Sequence, residues 1–172
     1  MMPTWYFIAK FIILRRGHQR IVDREGRGLG TGKPRGGGEF GPEWHRAALR
    51  ENRIKWIEDF IAVADHLVDT GTTSREHLGI FGGSNSGLLV GAAFTLRPDL
   101  CEAVICAVPL LDMSRYHKLL AGASWMSEYG NPDDPDDWDV LSGAPPGTGR
   151  RSLPALAAGL VLILAPVAAR NA

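Results

Sequence analysis

The tightest constraint on this chain lies in residues 78–97. A short apolar run, Leu78-Gly79-Ile80-Phe81, has the length of a buried strand. It enters a cluster of small residues, Gly82-Gly83-Ser84-Asn85-Ser86-Gly87, and a long apolar stretch, Leu88-Leu89-Val90-Gly91-Ala92-Ala93-Phe94, leaves it. That stretch predicts a helix ending near Arg97, because Pro98 disfavours helix at the residue before it. Upstream, Ile57, Phe60, Ile61, Ala64, Leu67 and Val68 recur at helical spacing, with Glu58, Asp59, Asp65 and Asp69 on the other side. This predicts an amphipathic helix over 53–69, stopped by Gly71. Downstream, residues 103–110 read Ala-Val-Ile-Cys-Ala-Val-Pro-Leu, a second buried-strand candidate. Helix, strand, helix and strand with short connections predict an α/β fold, a parallel sheet flanked by helices.

The chain has 172 residues, long enough for one domain with a real core. Its formal net charge is zero, so nothing global argues for a nucleic-acid partner. Cys101 and Cys106 sit in an apolar stretch and read as buried thiols, with no disulfide framework or paired-cysteine metal pattern. The charge balance is uneven, however. Residues 1–38 carry eight Lys and Arg against Asp23 and Glu25, and residues 140–172 carry three Arg and no acid. The middle is correspondingly acidic, so the chain divides into three segments of different chemistry.

Near the N-terminus, "WYFIAKFIIL" is too short to span a bilayer, which takes roughly 20 residues. It also lacks the basic start and small-residue cleavage site of a secretory signal. The Gly/Arg-rich text after it has little periodicity, so residues 1–34 read as loop or disorder. Residues 116–120 are a short helix candidate. "NPDDPDDWD" (131–139) reads as an acidic surface turn, lacking the alternating ligands and central glycine of a calcium loop. Residues 142–172 form an Ala/Leu-rich tail whose apolar run over 153–169 is at the short edge of transmembrane length. It reads as low-complexity text or as a membrane anchor.

The cluster at Ser84 has two readings. A serine flanked by small residues, between strand and helix, matches a nucleophile elbow. There the turn lifts the hydroxyl out of the sheet, and the helix N-terminus points its free N–H groups at a developing oxyanion. The other reading is a Gly/Ser-rich loop. The residues alone leave both open. A phosphate-binding loop is excluded, because Arg27 stands where its first glycine belongs and Pro34 follows Lys33.

Several blocks then carry a resemblance. "RGGGEFGPEWH" (35–45), "EDFIAVADHLV" (58–68), "TSREHLGIFGGSNSGLLVGAAFTLRPDL" (73–100), "AVPLLDMSRYHKLLAGASWMSEYG" (107–130) and "NPDDPDDW" (131–138) resemble the catalytic domain of the prolyl oligopeptidase family. These are serine peptidases with an α/β-hydrolase domain and a β-propeller. The resemblance implies that residues 35–141 are a partial α/β-hydrolase catalytic domain between two non-matching segments. It implies that Ser84 is the nucleophile, that the Asn85 backbone N–H is an oxyanion donor, and that Trp125 stacks on the substrate's proline ring. It further implies a proline-containing peptide substrate, no cofactor or metal, and a cytoplasmic location. Ser86 stands where the family has glycine.

The family's order is serine, aspartate, histidine, with the last two well beyond the matched block. The resemblance stops near Leu141 and finds no counterpart for them, for the upstream tyrosine that is the family's second oxyanion donor, or for the propeller. His117 lies in a segment the family uses otherwise. A serine without a base is a weak nucleophile, so the chain reads as an inactive fragment of a larger reading frame, with frameshift or truncation behind residues 1–34 and 142–172. An esterase with a rewired triad and a non-enzymatic, membrane-associated remnant are the alternatives. An incomplete sheet exposes edges, which predicts poor solubility of the isolated chain.

Overall fold

The computed structural model describes residues 10–14, 27–119, 122–142 and 160–164. Strand β3 (Leu78–Gly83) and strand β4 (Ala103–Ala107) form the parallel pair, in register from Gly79 opposite Ala103 to Gly83 opposite Ala107. Helix α3 (Asn85–Leu96) is the crossover between them. Parallel strands need such a connection, and the apolar stretch after the small-residue cluster supplies it.

Helix α2 (Ile54–Asp69) packs beside α3. Its buried residues Trp56, Phe60 and Ala64 are spaced by four, so one face turns inward while His66 on another is exposed. That face meets Leu78 and Ile80 of β3, Leu89, Val90 and Ala93 of α3, and Val104 of β4 in one core. The helix ends where Gly71 takes a positive φ of 68°, as the sequence predicts. Cys101 and Cys106 are free and buried in the same core. Burial pushes the Cys101 thiol up to about 11 and raises that of Cys106.

Residues around the core depart from expectation in three places. Within 1–34, expected to be loop or disorder, residues 10–14 form β1 (Lys10–Leu14), antiparallel to β3, and residues 27–31 form β2 (Arg27–Thr31), antiparallel to β1, while residues 1–9 and 15–26 lie outside the described residues. In the Ala/Leu-rich tail, β5 (Leu160–Leu164) pairs antiparallel with β4. The sheet order is β2-β1-β3-β4-β5, so the parallel pair is central and the flanking strands make the sheet mixed. Lys10–Leu14 and Leu160–Leu164 are short runs rich in Ile, Leu, Phe and Val, which suit a pleated surface once a partner edge exists. The rest of the 153–169 run lies outside the described residues. Among the described residues no helix is long and apolar enough to cross a membrane.

The third departure is at 131–139. Only its first part is a turn, and helix α5 (Pro135–Ser142) begins inside it. The Asp134 carboxylate accepts from the N–H groups of Asp136 (3.0 Å) and Asp137 (3.2 Å), capping the helix. Pro135 opens the first turn and two aspartates follow, a favourable start for a helix. The short helix expected at 116–120 is a 3-10 turn at Tyr116–Lys118. Two further elements complete this side. Helix α1 (Pro42–Arg46) precedes α2, and helix α4 (Met126–Tyr129) follows a 3-10 turn at Gly122–Trp125.

Candidate active site

Ser84 occupies the corner between β3 and α3 with φ 54° and ψ −119°, a conformation that side chains with a Cβ rarely adopt. Its N–H donates to the Ala107 carbonyl at the end of β4 (2.9 Å). Its own carbonyl accepts from the N–H groups of Gly87 (2.9 Å) and Leu88 (3.2 Å), opening the helix. Strand and helix therefore hold the serine from both sides, and the residue is exposed while Asn85, Ser86 and Gly87 behind it are buried. This is a strand–turn–helix elbow rather than a Gly/Ser-rich loop.

The small residues have separate tasks. A Cβ on Gly82 would lie 2.5 Å from the Ser86 carbonyl carbon and closer still to its oxygen, so strand and helix backbones are in direct contact there. A Cβ on Gly87 would lie 2.9 Å from the Pro109 Cα. Ser86 is buried, and the elbow forms with its side chain in place. Asn85 is the first helical residue, so its N–H has no intrahelical acceptor and points, with the helix dipole, towards the corner.

Behind Asn85 stands a buried polar chain. The Tyr129 hydroxyl donates to Asn85 Oδ1, and Arg53 Nη2 donates to the Tyr129 oxygen (2.8 Å). Arg53 Nη1 pairs with Glu128 Oε1 (2.8 Å) and donates to the Ala48 carbonyl (3.3 Å). The guanidinium also lies over the Trp56 ring, 3.7 Å from its centroid, and 4.6 Å from that of Tyr129. Burial raises the Tyr129 hydroxyl pKa well above its ordinary value. Burial likewise raises the Glu128 carboxyl, although Arg53 and His45 pull it the other way. Trp125 is half-buried and packs tilted against Tyr129, with ring centroids 6.2 Å apart. Tyr129 thus touches both Trp125 and Asn85, bringing the three sequence-selected residues into one neighbourhood.

Three of the described histidines are engaged elsewhere. His45 donates from Nδ1 to the Gly36 carbonyl (2.7 Å), His77 contacts Ser74 Oγ (2.9 Å), and His117 Nε2 meets Asp133 (3.0 Å). Among the described residues no histidine hydrogen-bonds the Ser84 hydroxyl. Sequence reasoning missed Arg53, Glu128 and Tyr129. The spacing of Trp125 and Tyr129, one helical turn apart, was the available signal for the last. It also missed Val108, which directly follows the carbonyl that holds Ser84, is exposed, and has φ 40°.

A model of the prolyl oligopeptidase family matches residues 27–151. An uncharacterized peptidase of Sinorhizobium fredii is 54% identical over 112 residues, covering 65% of this chain and 15% of that protein. The prolyl endopeptidase of Dictyostelium discoideum is 45% identical over 107 residues, 62% of this chain and 14% of its own length. Among solved structures, a post-proline cleaving enzyme from Rickettsia typhi superposes with a TM-score of 0.66 at 49% identity, over 69% of this chain and 17% of that one. The chain therefore spans about one-sixth or less of the relatives it matches. With the elbow and the family's fold both present, and with this match over most of its length, the chain belongs to the prolyl oligopeptidase family.

Proposed function

We propose that this chain carries the nucleophile portion of a prolyl oligopeptidase-type serine peptidase, which cleaves peptides after proline through an acyl-enzyme on Ser84. The observation that carries the reading is the corner itself: an exposed serine at a strained φ, held by Ala107 and followed by Asn85, whose N–H opens the helix with no intrahelical acceptor. In the reaction Ser84 Oγ attacks the carbonyl carbon of the proline residue and loses its proton to a base. The carbonyl oxygen becomes an oxyanion, which accepts from the Asn85 N–H. Collapse breaks the C–N bond, the amine leaves with the proton, and water then releases the acyl group by the reverse sequence. Trp125 offers an aromatic face for the proline ring, oriented by its contact with Tyr129.

The base and its orienting acid are, in this proposal, a histidine and an aspartate of the parent enzyme, following the serine in the family's order. The 172-residue chain by itself is then a poor catalyst, since loss of the base removes most of the rate of such a site. Two free, buried thiols and no disulfide among the described residues fit a reducing compartment, in keeping with a cytoplasmic parent enzyme.

The test is a chimera in which residues 35–141 replace the aligned block of the Dictyostelium prolyl endopeptidase. The account expects cleavage of a succinyl-Gly-Pro amide after proline, falling at least about a thousandfold on Ser84→Ala. A folded chimera that does not cleave, or that cleaves equally well without Ser84, overturns the reading.

A further inference from the structure

We propose that Arg53, acting through the Tyr129 hydroxyl, is a positioning residue for the elbow at Asn85. The proposal rests on the reading of the Asn85 N–H as the oxyanion donor, and it adds a group 32 positions away that no motif at the elbow contains.

Asn85 begins α3, so no intrahelical bond aims its N–H. Its orientation depends on the strained Ser84 before it and on whatever holds its own side chain. The residue is 4% exposed, and its side chain is held at Oδ1 by the Tyr129 hydroxyl. The same hydroxyl accepts from Arg53 Nη2, so hydrogen bonds run in one direction, guanidinium to phenol to amide. Linked donors of this kind polarise and strengthen one another in a buried setting.

Arg53 is itself over-determined. Its side chain is 13% exposed and that of Glu128 is 11% exposed, and both planar contacts and hydrogen bonds fix the guanidinium. A buried ion pair costs desolvation that its attraction barely offsets, so stability is a poor reason to keep one. A fork that reaches Glu128 with one nitrogen and Tyr129 with the other is what lysine cannot copy. Arg53 stands just before α2, Glu128 and Tyr129 lie on α4, and Asn85 opens α3. The chain of contacts thus ties the elbow to the start of α2 and to α4.

The experiment is hydrogen exchange, resolved to single amides by mass spectrometry, on the full 172-residue chain fused to a soluble carrier. The reporters are the Ser84, Gly87 and Leu88 N–H groups, which make the elbow's own hydrogen bonds. Tyr129→Phe keeps the ring and removes the hydroxyl, and Arg53→Lys keeps a cation beside Glu128 and removes the fork. Each variant is expected to speed exchange at the three reporters by about tenfold, the loss of roughly one hydrogen bond. Amides of Ala64 in α2 and Val104 in β4 should stay unchanged. Arg53→Lys should add nothing in the Tyr129→Phe background, because both act through one hydroxyl. Asp59→Asn, which breaks the Arg35–Asp59 bridge away from this chain of contacts, is the control and should leave the reporters alone. Reporters that exchange as in the wild type overturn the proposal. So do variants that accelerate every core amide by the same factor, or whose effects add. None of these readouts needs turnover, so they are separate from failure of the chimera to cleave.

Discussion

Two adjacent glycines make opposite predictions. At Gly82 a new Cβ would meet backbone: the Ser86 carbonyl carbon at 2.5 Å, its oxygen closer, and Gly87 N at 3.1 Å. No side-chain rotation relieves a clash with a helix backbone, so α3 must move from β3 by about an ångström or more. Overpacking of this kind costs about 1–3 kcal/mol, and the absence of any yielding atom puts Gly82→Ala at or above the top of that range, about 3 kcal/mol. At Gly83 the nearest atoms to a new Cβ are the Ala107 oxygen at 3.8 Å and Cβ at 3.9 Å, ordinary contact distances. Gly83→Ala should therefore stay within about 1 kcal/mol of the parent, on the stabilising side if anything, through the reduced freedom of the unfolded chain. The assay is urea unfolding of the carrier-fused chain, read at a tryptophan signal, with cleavage by the corresponding chimeras beside it. Gly82→Ala should lower the midpoint sharply and abolish cleavage, and Gly83→Ala should do neither. Equal midpoints for the two variants, or an active Gly82→Ala chimera, would refute the claim that strand and helix backbones touch at the elbow.

Other outcomes follow from the same geometry. Ser84→Gly should be about 1 kcal/mol more stable than Ser84→Ala in urea, because only glycine relieves the positive φ, although both remove the proposed nucleophile. Burial alone would raise the Asp59 carboxyl, but the Arg35 guanidinium (2.8 and 2.6 Å) and backbone N–H (2.9 Å) outweigh it and hold the group below its ordinary value. A depressed carboxylate stabilises the fold above its unfolded pKa, about 4, and that contribution is lost as pH falls through the folded value. Asp59→Asn should accordingly flatten part of the acid limb of a stability–pH curve below about pH 4, and an unchanged limb would contradict the assignment. Both thiols, raised by burial, should resist a disulfide reagent at pH 8 until the chain unfolds, so prompt labelling of the native chain would contradict their placement in the core.

How far the fold could be read in advance depended on whether its cause was local. Helix α2 was legible because its apolar face repeats along the chain, and β3 and α3 because small residues separate two apolar runs. Strands β1 and β5 were not, because a short apolar run becomes a strand only when an edge such as that of β3 or β4 receives it. Helix α5 was hidden by its acids and proline, which read as a turn; Asp134 followed by Pro135 is equally a cap and first turn. At the site, Ser84 and Asn85 were legible from the turn. The contact of Arg53 with Tyr129 joins residues 76 apart, and that of Tyr129 with Asn85 joins residues 44 apart, distances at which no sequence period operates. Strain at Ser84 and Val108 is likewise a property of the folded backbone alone.

The most direct test of the central claim, that Ser84 is a peptidase nucleophile on an elbow, is where a fluorophosphonate probe lands. The chimera carrying residues 35–141 would be labelled, digested and mapped by mass spectrometry. The account predicts one adduct, on Ser84, that forms neither on Ser86 nor in the Ser84→Ala variant. An adduct on another serine with Ser84 intact, or cleavage after proline with Ser84 left unmodified by the probe, would contradict it.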